Sequence, residues 1–271
     1  MTALLALALL LVSGADRAGT TLFPGPVRPG EVLRFVVPGP EQGAPDPHAA
    51  VRSRRAPPER IIAKRTVFAA GRLWVETEGG GFVEAARVDR LPAPVEGHLP
   101  IGAEGLRAGR ILPDDYRPSD LVAVPDSLKA PGYRWRRMSL RADALSAFVR
   151  LVEAAARDGL EIRILSAFRS AEYQRNLYAK AVEREPGQNS SAAPGRSEHQ
   201  LGTAVDVVTP EVPGLSPELE ASPAGRWISE HGEGFGVVMT FSRARHEARG
   251  VAFEPWHLRW VGDLTEDEEA W

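Results

Sequence analysis

Ser197-Glu198-His199-Gln200-Leu201-Gly202-Thr203-Ala204-Val205-Asp206 sets an imidazole and a carboxylate on either side of a glycine turn that leads into an apolar run. Residues 205–208 read as a buried strand, which places Asp206 on a sheet and His199 on the turn before it. Imidazole nitrogen and carboxylate oxygen both suit zinc, and a hydrolytic zinc site takes three protein ligands so that one position stays open for water. The chain has no cysteine. Thiolate metal sites, iron–sulfur clusters, disulfide frameworks and cysteine nucleophiles are therefore excluded, and any metal must use His, Asp or Glu. Phe253-Glu254-Pro255-Trp256-His257 offers the third ligand in His257, with Glu254 close by as a carboxylate that can take and return a proton. The helical H-E-x-x-H pattern is absent, so the scaffold is a different one.

Working outward, residues from about 112 onward read as a compact α+β domain. Ser139 is placed as the cap of a helix reaching Arg157, with Leu140, Leu145, Phe148, Val149, Val152 and Ala155 on its apolar face and Gly159 as its stop. Residues 160–165 alternate as a half-buried strand, and Ser170 caps a second helix carrying Tyr173, Leu177 and Tyr178, so Arg169 falls at a strand-to-helix junction. Further pieces are a helix over 226–230 and strands over 236–240 and 256–261. The expected architecture is a small, mainly antiparallel sheet that carries His199, Asp206 and His257 on one face, with helices packed behind.

These motifs, in this order, resemble the VanY-type D-alanyl-D-alanine carboxypeptidases and the related D,D-dipeptidases and L,D-carboxypeptidases. The resemblance covers residues 112–262. It rests on Ser166-Ala167-Phe168-Arg169-Ser170, Tyr173-Gln174, Pro194-Gly195-Arg196-Ser197-Glu198-His199-Gln200 with Gly202 and Asp206, Phe235-Gly236, and Glu254-Pro255-Trp256-His257. It implies that His199, Asp206 and His257 bind Zn2+, that Glu254 is general base and acid, and that Arg169 stabilises the transition state. A guanidinium suits that task, being always charged and planar. Ser197 would sit beside the substrate, and Gln174 is assigned to the cleft wall. The implied substrate is a peptidoglycan stem peptide, with free D-alanine as product. An L,D-carboxypeptidase, an endopeptidase on the same peptides and a non-catalytic wall-binding protein are the alternatives. Three positions depart from the usual pattern: Phe168 stands where tyrosine is common, Arg196 where histidine is common, and Leu258 where tryptophan is common. None of them removes a ligand, and all bear on the pocket's surroundings.

Residues 16–100 lie outside the resemblance and read as a smaller β-rich region, with β-prone pieces at 32–37, 66–69 and 73–77. Within it, residues 45–60 carry Arg52, Arg54, Arg55 and paired prolines and read as a loop or linker. Residues 1–12 form an apolar run before Ser13-Gly14-Ala15, read as a secretory signal, with an uncleaved N-terminal anchor as the alternative. The protein is thus expected to be exported and wall-associated. A net charge of -3 with scattered basic residues argues against a nucleic-acid partner. The acidic tail at 263–271 reads as a solvated end, and His48, His98, His231 and His246 lie outside any ligand pattern.

Overall fold

The computed structural model describes residues 27–90, 111–185, 188–243, 246 and 252–262. The expected secretory segment and acidic tail lie outside these residues. The strands run β1 (Val32–Phe35), β2 (Gly39–Gln42), β3 (Val51–Arg55), β4 (Arg60–Ala69), β5 (Arg72–Thr77), β6 (Phe82–Glu84), β7 (Val88–Arg90), β8 (Leu121–Ala123), β9 (Ser139–Arg141), β10 (Arg163–Ser166), β11 (Ala204–Val208), β12 (Val237–Phe241) and β13 (Glu254–Trp260). Among the described residues the helices include α1 (Ala142–Arg157), α2 (Ala171–Arg184) and α3 (Pro223–His231). The architecture is α+β, and the chain divides into two compact units.

The first unit takes Met1–Pro94, Ala108–Pro113 and Glu172–Arg196. The expected boundaries, 16–100 and 112–262, divide the chain differently, because nearly all of α2 and the segment after it group with the N-terminal strands. A seven-stranded sheet runs in the order β3-β2-β6-β5-β4-β1-β7. Leu33, Phe35, Ile61, Ala63, Val75, Val83 and Val88 form one core on it. A second cluster packs Tyr178 and Val182 of α2 against Val36, Val37 and Ala86. The Tyr178 hydroxyl donates to the Ala86 carbonyl at 2.7 Å, which satisfies its polar end while the ring is buried. The β4–β5 hairpin turns on Ala70 and Gly71, both at positive φ (50° and 72°), the handedness that matches strand twist.

The stretch at 45–60 is not a loop throughout: it contains β3, paired antiparallel with β2 from Gly39↔Arg55 to Glu41↔Ser53. Composition hid this strand because its basic side chains find partners only in the fold. Arg55 meets Glu41 at 3.1 Å, and Arg52 donates to the Gly79 carbonyl at 3.0 Å. Burial works against ionising Glu41, but hydrogen bonds from Ser53, Thr77 and Arg55 hold its carboxyl below the usual range.

The second unit takes Val95–Arg107, Asp114–Ala171 and Ser197–Trp271. Its main sheet is antiparallel, in the order β10-β11-β13-β12, and β8 pairs with β9 apart from it. Ser139 is not the expected cap: it begins β9, and α1 starts after Arg141 with no side-chain cap. Pairing of Leu121, Val122 and Ala123 with residues 139–141 extends that segment instead. Helix α1 buries Ala144, Ala147, Phe148, Leu151, Val152 and Ala155. This face is centred slightly away from the expected one, which leaves Leu145 and Val149 half-buried beside the core. Gly159, at φ +79°, follows the helix end. Helix α3 starts at Ser222-Pro223, where the Ser222 hydroxyl accepts from the Gly225 amide at 3.0 Å.

Strand β11 is buried along its whole length. Alternation sends Val205 and Val207, with Leu258 of β13, into the helix-covered core. The intervening positions, Asp206 on β11 and His257 and Arg259 on β13, therefore project from the opposite face. Asp206 and His257 are directly paired across the two strands.

Candidate metal centre

Three chain segments converge on this face. Asp206 and His257 are fixed by the β11–β13 register, and His199 comes from the tight turn Glu198–Leu201. Gly202 ends that turn at φ +73°, and a Cβ there would stand 2.9 Å from Leu121 Cδ2. The ligand-type atoms of His199, Asp206 and His257 lie within 4.8 Å of one another, and all three residues are buried. His199 Nε2 is 3.3 Å from Asp206 Oδ1, and His257 Nδ1 is 3.2 Å from the same oxygen.

Each imidazole is oriented by its other nitrogen. His199 Nδ1 lies 2.7 Å from the Ala167 carbonyl, which can only accept, so the proton resides there and the Nε2 lone pair faces Asp206. His257 Nε2 lies 3.0 Å from Glu198 Oε2, which likewise places a proton on Nε2 and turns Nδ1 toward Asp206. Arg169 Nη2 donates to Asp206 Oδ2 at 2.9 Å, and the Arg169 amide donates to the His199 carbonyl at 3.2 Å.

Residues 137–263 match the family described as VanY, D-alanyl-D-alanine carboxypeptidase. A bifunctional D-Ala-D-Ala dipeptidase and carboxypeptidase of Enterococcus gallinarum is 30% identical over 132 residues, 45% of this chain and 67% of the relative. The chain belongs to the VanY family. A putative carboxypeptidase of Bacillus subtilis, YodJ, is 30% identical over 155 residues, and this chain spans only 56% of that relative's length. The solved LdcB LD-carboxypeptidase superposes with a TM-score of 0.52 at 26% identity, over 59% of this chain and 75% of that one.

Electrostatics sharpen the picture of this VanY-family site. Burial, with Arg169 beside it, pushes His199 down to about 4, so the ring is neutral at physiological pH. Burial opposes ionisation of Asp206, but His199, His257 and Arg169 hold its carboxyl well below the usual range. A neutral imidazole lone pair thus faces a carboxylate oxygen with no proton between them. Two acceptors at that distance repel unless a cation lies between them, and neutral nitrogen with ionised oxygen is the donor set zinc prefers. The residues therefore fit the metal. Burial lowers His257, yet Asp206 and Glu198 overcome it and raise the ring to about 9. Burial raises Glu254, the first residue of β13, to about 7.

Ser197 is buried immediately before the Glu198–Leu201 turn, and its carbonyl accepts from the Gln200 amide at 3.0 Å. Gln174 belongs to the other compact unit, where its amide donates to the Ala192 carbonyl at 2.8 Å. Its described bonds hold that loop. Trp256 packs against the helix-covered core. Sequence reasoning gave no role to Glu198 or Arg259, yet Arg259 Nη1 donates to Glu198 Oε1 at 3.1 Å, completing a buried chain Arg259–Glu198–His257–Asp206. The available signal was period two: an arginine two positions after a ligand on a strand shares the ligand's face.

Proposed function

We propose that the chain is a zinc-dependent D-alanyl-D-alanine carboxypeptidase that removes the terminal D-alanine of peptidoglycan stem peptides, acting as an exported protein at the wall. The observation that carries this reading is the neutral His199 and ionised Asp206, held face to face beside a His257 whose orientation Glu198 fixes. His199, Asp206 and His257 hold the ion. When bound, zinc supplies Lewis acidity, which brings water ionisation toward neutral pH and polarises a carbonyl. Glu254, poised near neutrality by burial, takes the proton from the attacking water and delivers it to the departing amine. Arg169 places a permanent positive charge beside the cluster, where it favours the negative charge that develops on the scissile carbonyl. Ser197, next to the ligand turn, contacts the substrate.

Release of D-alanine from a purified stem pentapeptide ending in D-Ala-D-Ala, abolished by a chelator and restored by zinc, is the expected result. The LdcB likeness supports a second reading as an L,D-carboxypeptidase. Chelator-sensitive release from the tetrapeptide, with none from the pentapeptide, would establish it in place of the first. Zinc binding with no release from either peptide would point to internal bonds or to binding without turnover.

A further inference from the structure

We infer that Asp89, on a strand of the N-terminal sheet, is a positioning residue for the metal-site turn and acts through Arg196. For its kinetic readout the inference rests on the hydrolysis proposed above. Asp89 and Arg196 are 107 positions apart and form a doubly bonded pair, with Nε to Oδ2 at 2.5 Å and Nη2 to Oδ1 at 2.7 Å. Both side chains are almost wholly withdrawn from water, at 0% and 2% exposure. Two charges taken out of water gain little net stability, so the planar fork contributes orientation above all.

The backbone around Arg196 is held as firmly as its side chain. The Leu112 amide donates to the Gly195 carbonyl at 2.8 Å, and the Arg196 amide to the Ala193 carbonyl at 3.0 Å. Gly195 sits at φ +82°, and a Cβ there would stand 2.6 Å from the Leu112 carbonyl, so this backbone contact admits no side chain. The chain leaves the anchor through Ser197 and enters Glu198–Leu201 at once, so Arg196 is covalently two residues from the orienter of His257 and three from His199. The tether restrains the residue from which the turn carrying His199 starts.

The test uses the full-length chain with two variants. Asp89→Asn breaks the fork but leaves Arg196 buried and poorly paired. The double change Asp89→Leu/Arg196→Met replaces the pair with apolar groups, a swap that buried ion pairs tolerate in folding. Zinc affinity by competition titration, hydrogen exchange of residues 195–202 in metal-free protein, and kcat and KM on the stem peptide are measured well below melting. The expected result is a folded double variant that has lost roughly 10- to 100-fold in zinc affinity and kcat. Its KM stays near the wild-type value and exchange quickens at 195–202 but not in α1. A double variant with wild-type melting, zinc affinity and local exchange overturns the inference. Should neither variant fold, Arg196→Lys, which keeps the charge without the fork, decides by the same exchange and affinity readouts. Wild-type protein that binds zinc without hydrolysing the peptide would defeat the proposed function, while affinity and exchange would still decide this point.

Discussion

At the scale of single residues, the roles divide between holding and reacting. Glu254→Ala is expected to keep zinc and lose on the order of 100- to 10,000-fold in kcat, whereas His257→Ala loses both, as metal analysis alongside kinetics would show. Because Glu254 must be ionised to accept a proton, activity should climb as pH rises through an acid limb at or below about 7. A neighbouring cation pulls that limb down, and Glu254→Gln should abolish it together with turnover. His257 gives a second pH signature. In metal-free protein its folded value of about 9 lies above its ordinary 6.5, so the stability it contributes is full below pH 6.5 and is lost as pH rises to about 9. Zinc displaces that proton, so melting curves with and without zinc should separate further across the same window. That His199, Asp206 and His257 come together was legible in sequence because their residue types and spacing point to one chemistry. Glu198 was not, because a carboxylate next to a ligand reveals nothing of where it points until β13 brings His257 to it.

At the scale of elements, the cluster depends on register. Asp206 opposite His257 is a property of the β11–β13 pairing, and a slip of one residue would send one of them into the helix-covered core. The turn before β11 is equally constrained. Gly202→Ala would force a Cβ into left-handed backbone against Leu121 and Arg141. Its expected cost is about 1–2 kcal/mol, with weakened zinc binding, as denaturant titration and metal competition would measure. The four strands of the second unit's main sheet and helices α1 and α3 were legible because their apolar periods are clean, whereas β8 and β9 were not. The false cap at Ser139 shows the limit: a hydroxyl before an apolar run signals a helix start only if no partner strand claims its backbone, and β8 does. Strand β3 was hidden for the converse reason, since its composition is that of a linker and its order comes from pairing with β2.

At the scale of the whole molecule, the division into units could not be read from the sequence. Helix α2 follows the Arg169 motif and so reads as peptidase, yet Tyr178 and Val182 pack with Val36, Val37 and Ala86. A fragment covering only residues 111–262 would leave that face of α2 without its partners, and its expected behaviour is aggregation or loss of cooperative melting, visible by calorimetry. The same interleaving governs how the molecule is made. Arg196 leaves the ribosome 107 residues after Asp89, an interval of roughly 5–20 s. A sheet folded before that point would carry a buried carboxylate without its guanidinium and an apolar patch without α2 over it, so the N-terminal strands are expected to settle only once residues 178–196 are available to pack on them.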